Sequence, residues 1–113
     1  MDLNLIFENG ILDIHIHGEL DANSSLQLDE VIKEAAIEGK TKIIVNCNNL
    51  RYISSAGLGV FISHLDDLTK VGGKFVFYGM TEGVFNTFKV LGLDTIMVIT
   101  DSEARAKTMM NEG

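Results

Sequence analysis

The chain has 113 residues, a mass of 12.4 kDa and a formal net charge of −7, from nine basic and sixteen acidic side chains. That length suits one domain with its own core, and 46% hydrophobic with 22% charged residues is a globular composition, not a disordered one. The acidic balance excludes a basic stripe for nucleic acid and an attraction to anionic membrane surfaces.

The first local signal is Asn9-Gly10 between apolar-rich runs. A type I′ turn needs positive φ at both central residues, so Asn-Gly predicts a hairpin pairing residues 3–8 with 11–17. In the second strand Leu12, Ile14 and Ile16 alternate with Asp13, His15 and His17, one apolar face against one polar, partly solvated face. Ser24 followed by Gln27 reads as a capping box. It opens a helix whose apolar stripe is Leu28, Val31, Ile32, Ala35 and Ala36, closed by Gly39 in the left-handed conformation. Residues 42–46 form a short strand, apolar on both faces as in a central parallel position. After a loop, Ser54 or Ser55 caps a second helix with the stripe Leu58, Phe61, Ile62, Leu65 and Leu68, broken by Gly72-Gly73. A strand over 74–78 follows. Thr81 then caps a helix carrying Val84, Phe85, Phe88 and Leu91, which Gly92 ends. Residues 95–100 form the last strand, and Asp101 or Ser102 starts a terminal helix over 103–110, with Met109 and Met110 exposed at a frayed end.

Strand–helix alternation after a hairpin implies parallel pairing with right-handed crossovers. The expected fold is α/β: a mixed sheet with an antiparallel edge and helices packed on it, in one domain over residues 1–113. Cys47 stands alone, which fits a reducing compartment and excludes an intrachain disulfide. The start Met1-Asp2-Leu3-Asn4 lacks a basic region and a long apolar run, so the expected location is cytoplasmic, with no membrane span.

Few residues suggest catalysis. His15 and His17 share a strand face, but with Asp13 as their one obvious neighbour they fall short of a metal site, and no metal is expected. No residue near Cys47 would lower its pKa, and a free cysteine is usually a small buried hydrophobe. A serine hydrolase using Ser55 lacks the Gly-x-Ser-x-Gly elbow. Nine helical steps from Ser55 to His64 span roughly 13 Å, beyond hydrogen-bond reach. Gly57-Leu58-Gly59 has Ile62 where a dinucleotide fingerprint needs its third glycine.

What remains is Leu50-Arg51-Tyr52-Ile53-Ser54-Ser55-Ala56-Gly57-Leu58-Gly59-Val60-Phe61. Capping explains one serine. It does not explain two glycines in the first helical turns, each costing about 1 kcal/mol against alanine. Small residues there admit a partner surface or a kinase cleft. A helix amino end also favours added negative charge, so a phosphoserine would change the surface without unfolding the domain.

The sequence resembles the STAS domain, and more narrowly the single-domain bacterial anti-sigma factor antagonists. The resemblance rests on Gly18-Glu19-Leu20-Asp21 before a helix, Tyr52-Ile53-Ser54-Ser55-Ala56-Gly57-Leu58-Gly59-Val60, Gly72-Gly73-Lys74 and Leu91-Gly92-Leu93. It implies partner switching without catalysis or cofactor. The unphosphorylated protein binds an anti-sigma factor that is also a serine kinase, and the sigma factor is freed. Phosphorylation at the start of the second helix releases the kinase, and a serine phosphatase of the PP2C type resets the switch. Members commonly read Asp-Ser before a small residue and Gly-Leu-Gly. Ser54 stands at the aspartate position, and Ala56 stands where some members carry the acceptor, so Ser55 is the implied acceptor and Ser54 the second choice. Asp21 carries over as a partner contact, followed by Asn23 and Ser24, with Ser54, Ser55, Ala56, Gly57, Leu58 and Gly59 completing the surface. The alternative is a STAS module that serves a transport or stress-signalling complex without phosphorylation.

Overall fold

The computed structural model describes residues 1–112. In chain order it forms β1 (Asp2–Glu8), β2 (Ile11–Leu20), α1 (Ala22–Ile37), β3 (Lys42–Ile53), α2 (Ser55–Lys70), β4 (Lys74–Tyr78), α3 (Glu82–Val90), a 3₁₀ turn (Leu93–Thr95), β5 (Val98–Thr100) and α4 (Glu103–Asn111). This is the order the sequence predicts, with the 3₁₀ turn added. The strands lie side by side as β1-β2-β3-β4-β5, with β1 antiparallel to β2 and every later pair parallel. Asn9 (φ 52°) and Gly10 (φ 80°) make the hairpin turn.

Each parallel step moves the chain one strand in the same direction, and right-handed crossovers therefore put α1, α2 and α3 on one face of the sheet. That face holds the main core. Ile43 and Val45 of β3 and Phe75 and Phe77 of β4 meet Leu28 and Ile32 of α1, Leu58 and Phe61 of α2, and Val84 and Phe88 of α3. Phe61 sets its ring edge-on against Phe77, centroids 4.9 Å apart, which fixes α2 over the middle of the sheet. The alternate strand residues Ile44, Val76 and Tyr78 face the other way, where Ala106 and Met110 of α4 cover them together with Ile11.

That second layer changes two expectations. The polar face of β2 is not solvated at Asp13, which is 6% exposed beneath α4. Met110 is not frayed but 2% exposed in this layer. The first helix starts one turn earlier than Ser24: its N-cap is Asp21, with Ser24 at the third helical position. The second strand runs on to Leu20, and the third continues from Asn46 to Ile53, pairing with β2 across two bulges. The last strand shortens to Val98–Thr100, because after Gly92 (φ 74°) the chain turns and Met97 N–H donates to Leu93 O at 2.9 Å. Ala36, Ile62, Phe85 and Leu91 lie at the margins of their stripes and are exposed.

Candidate functional site

The register pairs Leu20 of β2 with Ile53 of β3, and the next residue of each strand caps a helix. The two turns are tied by Ser54 N–H donating to Leu20 O at 2.9 Å. Helices α1 and α2 therefore start side by side from adjacent strands, their unpaired amino ends together.

At the first turn, Asp21 accepts from Ser24 N–H at 2.9 Å while Asp21 N–H donates to Ser24 Oγ at 2.8 Å. The Ser24 N–H foremost, and next the Ser24 hydroxyl, which donates to the same carboxylate at 2.9 Å, hold the Asp21 carboxyl below its usual value. Ser24 is thus used inside the cap, whereas Asp21 and Asn23 are exposed. At the second turn, Gly57 N–H donates to Ser54 Oγ at 3.2 Å. Ser54 is half-buried; Ser55, the first helical residue, is exposed, as is Ala56.

The rest of the segment divides sharply. Leu58 is 3% exposed and belongs to the core, so its side chain offers no contact surface. Gly57 is buried too, and its smallness answers an internal need: a Cβ there would lie 2.8 Å from Leu20 Cγ and 3.0 Å from Ile53 Cγ1. Gly59 is exposed, with nothing within 4 Å of the place a Cβ would take. The surface around the paired helix starts is therefore Asp21, Asn23, Ser55, Ala56 and Gly59. Arg51 and Tyr52, on the outward run of β3, are also exposed. Tyr52, 52% exposed, is a large aromatic side chain that the motif segment contains but that sequence reasoning left without a role. Its signal was a large aromatic beside the charged Arg51 at the entrance to the two serines.

The histidines lie away from this surface and do not act together. His17 meets Asn4 across the hairpin at 3.3 Å. His15 Nε2 meets Asp13 Oδ2 at 3.0 Å, and Tyr78 OH donates to the same carboxylate at 2.9 Å. Glu103 closes the group from α4, its carboxylate accepting from Lys107 at 2.9 Å. Asp13, His15 and Glu103 bring ligand atoms within 4.8 Å, but these partners already engage them. His64 Nε2 is turned to Asp29 of α1 at 2.7 Å, away from any role with Ser55. Cys47 is buried, and burial pushes its thiol up to about 12.

The STAS domain family model matches residues 2–106. The chain belongs to the STAS domain family. Among curated relatives, the anti-sigma-B factor antagonist of Staphylococcus epidermidis is 29% identical over 103 residues, covering 89% of this chain and 95% of its own. That of Staphylococcus aureus is 27% identical over the same span. In three dimensions this STAS domain is similar to a protein of Thermotoga maritima, TM-score 0.91 at 22% identity, over 96% of this chain and 94% of that one. It is also similar to phosphorylated SpoIIAA of Bacillus, TM-score 0.75 at 24% identity, over 96% and 98% of the two chains. These two likenesses carry the STAS fold: the hairpin edge, the parallel strands and the helices. No helix among the described residues is long and apolar enough to cross a membrane.

Proposed function

We propose that this STAS domain is an anti-sigma factor antagonist that acts as a single cytoplasmic module, a ligand and kinase substrate with no catalytic step of its own. Its unphosphorylated form binds a serine-kinase anti-sigma factor through Asp21, Asn23, Ser55, Ala56 and Gly59, and the sigma factor is released. Phosphorylation at Ser55 switches it off, and a PP2C-type phosphatase restores it. The names borne by the Staphylococcus relatives support the class of function.

The observation that carries the choice of residue is the division of labour between neighbouring serines. The Ser54 hydroxyl accepts the Gly57 N–H and holds the helix start, whereas Ser55 is exposed one residue on. A phosphate on Ser54 would disturb that cap. On Ser55 it would meet the amino ends of two helices, which favour negative charge. Nearly two added charges on a contact surface bring desolvation cost and repulsion from acidic partner groups. Each loss of about 1.4 kcal/mol weakens binding tenfold, so a few kcal/mol is enough to move the partner equilibrium.

The test is intact-mass analysis of protein from its native cells in growth and stress, with fragment mapping across Ser54 and Ser55. One condition-dependent phosphate on Ser55 is expected. Binding of the copurifying kinase should persist in Ser55→Ala and weaken in Ser55→Asp. Equal affinities for the two variants, or a phosphate confined to Ser54, overturns the assignment.

A further inference from the structure

The sheet has two free edges, and the chain treats them differently. At one, β5 is three residues long and half-buried throughout. At the other, β1 runs for seven residues, pairs with β2 without a bulge, and is exposed at every position except the half-buried Leu3. A free edge offers a row of unpaired N–H and C=O groups to any other strand, and proteins usually blunt it with proline, lysine or a bulge. Strand β1, Asp2-Leu3-Asn4-Leu5-Ile6-Phe7-Glu8, carries none of these. Its side chains are those of an interior strand, apolar on both faces. Leu5, 50% exposed, and Phe7, 48% exposed, lie on the α1 face beside Leu12 and Val31. Ile6, 43% exposed, lies on the α4 face beside Ile11.

The backbone fixes how a neighbour attaches. Glu8 and Ile11 flank the two-residue turn and form a hydrogen-bonded pair, and such pairs alternate along an antiparallel ladder. Glu8, Ile6, Asn4 and Asp2 therefore aim their N–H and C=O groups at β2, whereas Leu3, Leu5 and Phe7 aim theirs outward. An antiparallel second copy of β1 satisfies these outward groups in only a few registers, since odd residues must meet odd residues. With Leu5 opposite Leu5, Asp2 would face Glu8 of the second copy, and like charges placed opposite each other are unfavourable. With Leu3 opposite Leu5, Asp2 would lie against Ile6, and Phe7 would pass the end of the strand. With Leu5 opposite Phe7, Ile6 meets Ile6 on the two-fold axis and Glu8 faces the Asn4 carboxamide. That register has apolar pairs on both faces and opposes no charges.

From this edge we propose that the domain self-associates as a two-fold dimer, β1 pairing antiparallel with β1 of a second copy, Leu5 opposite Phe7 and Ile6 opposite Ile6. The two five-stranded sheets become one. The ladder is short, so the contact belongs with the small, transient interfaces of under about 1,200 Å². Each copy brings a net charge of −7, a long-range repulsion that salt screens, so added salt should tighten the dimer. A foreign cationic strand on the same edge would show the opposite dependence. Leu5, Ile6 and Phe7 lie outside the proposed partner surface, so the dimer stands or falls independently of the antagonist reading.

The experiment is sedimentation velocity on the full chain from about 10 µM to about 1 mM, the range of a weak interface, with amide hydrogen exchange by NMR at both ends of the range. The expected result is a monomer–dimer equilibrium that salt tightens. Exchange at Leu5 and Phe7 should slow at high concentration, while Asn4 and Ile6, already bonded to β2, change little. Ile6→Lys sets two ammonium groups against each other on the axis and should weaken the dimer about tenfold or more, with circular dichroism confirming the fold. Should that variant not fold, the exchange pattern of the unaltered chain decides alone. The proposal is overturned by a chain that stays monomeric at the highest concentration, by a dimer that salt loosens, by a dimer undiminished in folded Ile6→Lys, or by a dimer without added protection at Leu5 and Phe7.

Discussion

The two glycines at the start of α2 look equivalent in the sequence, and the structure predicts opposite responses to the same substitution. Alanine at an exposed helical position is favoured over glycine by about 1 kcal/mol. Gly59 meets this condition, since nothing lies within 4 Å of the new Cβ. Gly59→Ala should therefore stabilise the domain by up to ~1 kcal/mol, raising the melting temperature by roughly 3–6 °C for a chain of this size. At Gly57 the same methyl enters between Leu20 and Ile53, with Leu20 Cγ at 2.8 Å and Cδ2 at 2.9 Å. Leu20 is fully buried and has no solvent to turn into. Overpacking of this kind costs about 1–3 kcal/mol, which cancels or exceeds the helical gain. Gly57→Ala should be neutral to ~2 kcal/mol destabilising, and the two variants should differ by ~1–3 kcal/mol. Urea denaturation followed by circular dichroism measures both, with unchanged slopes confirming that the unfolded reference has not moved. If Gly57→Ala proves as stabilising as Gly59→Ala, the close packing of α2 onto Leu20 and Ile53 is wrong.

Three further outcomes follow from the same packing. Asp29 is held below its ordinary value of 3.8 by the His64 hydrogen bond first and the Lys33 bond next. A depressed carboxyl stabilises the fold above the unfolded value and loses that contribution as pH falls through the folded one. Asp29→Asn should thus fall behind the wild type most at neutral pH, with the gap closing below about pH 4; a gap independent of pH would refute the α1–α2 bridge. Tyr78→Phe keeps the ring but removes the hydroxyl that donates to buried Asp13 at 2.9 Å, and should cost ~1.5–3 kcal/mol in urea melts; a neutral result would mean that Asp13 is satisfied without it. Cys47, its thiol raised to about 12 by burial, should react with a disulfide reagent only in denaturant, and prompt reaction in native buffer would show that the core opens around it.

The sequence revealed most where a residue type has one physical use. Asn9-Gly10 gave the hairpin because few other pairs accept positive φ twice. Ile43, Ile44 and Val45 announced a strand buried on both faces. The outward half of β3 was unreadable for an equally definite reason. Its buried residues are Cys47, Leu50 and Ile53, every third position, a spacing forced by the bulges in its pairing with β2 and matching neither strand nor helix periodicity. The helix cap was displaced because both Asp21 and Ser24 are good caps, and only the reciprocal bonding between them shows which comes first. Asp13 defeated pattern reading because its cover comes from α4, some ninety residues on in sequence. At the candidate site the motif residues were found together, but sequence alone could not separate those that build it, Gly57 and Leu58, from those that face outward.

Strand β3 outruns its neighbour. Its pairing with β4 ends at Asn46, whereas the strand reaches Ile53. At about 3.3 Å per residue those last seven residues carry Ser54 and Ser55 roughly 20 Å past the point where β4 lets go. Only β2 pairs with that stretch, but its residues Cys47, Leu50 and Ile53 are buried in the main core, so the serines are carried by one strand ladder and by the helices packed beneath it. Whatever alters Ser54 or Ser55 acts one or two residues from Ile53, which belongs to the same core that holds α1 and α2 to the sheet.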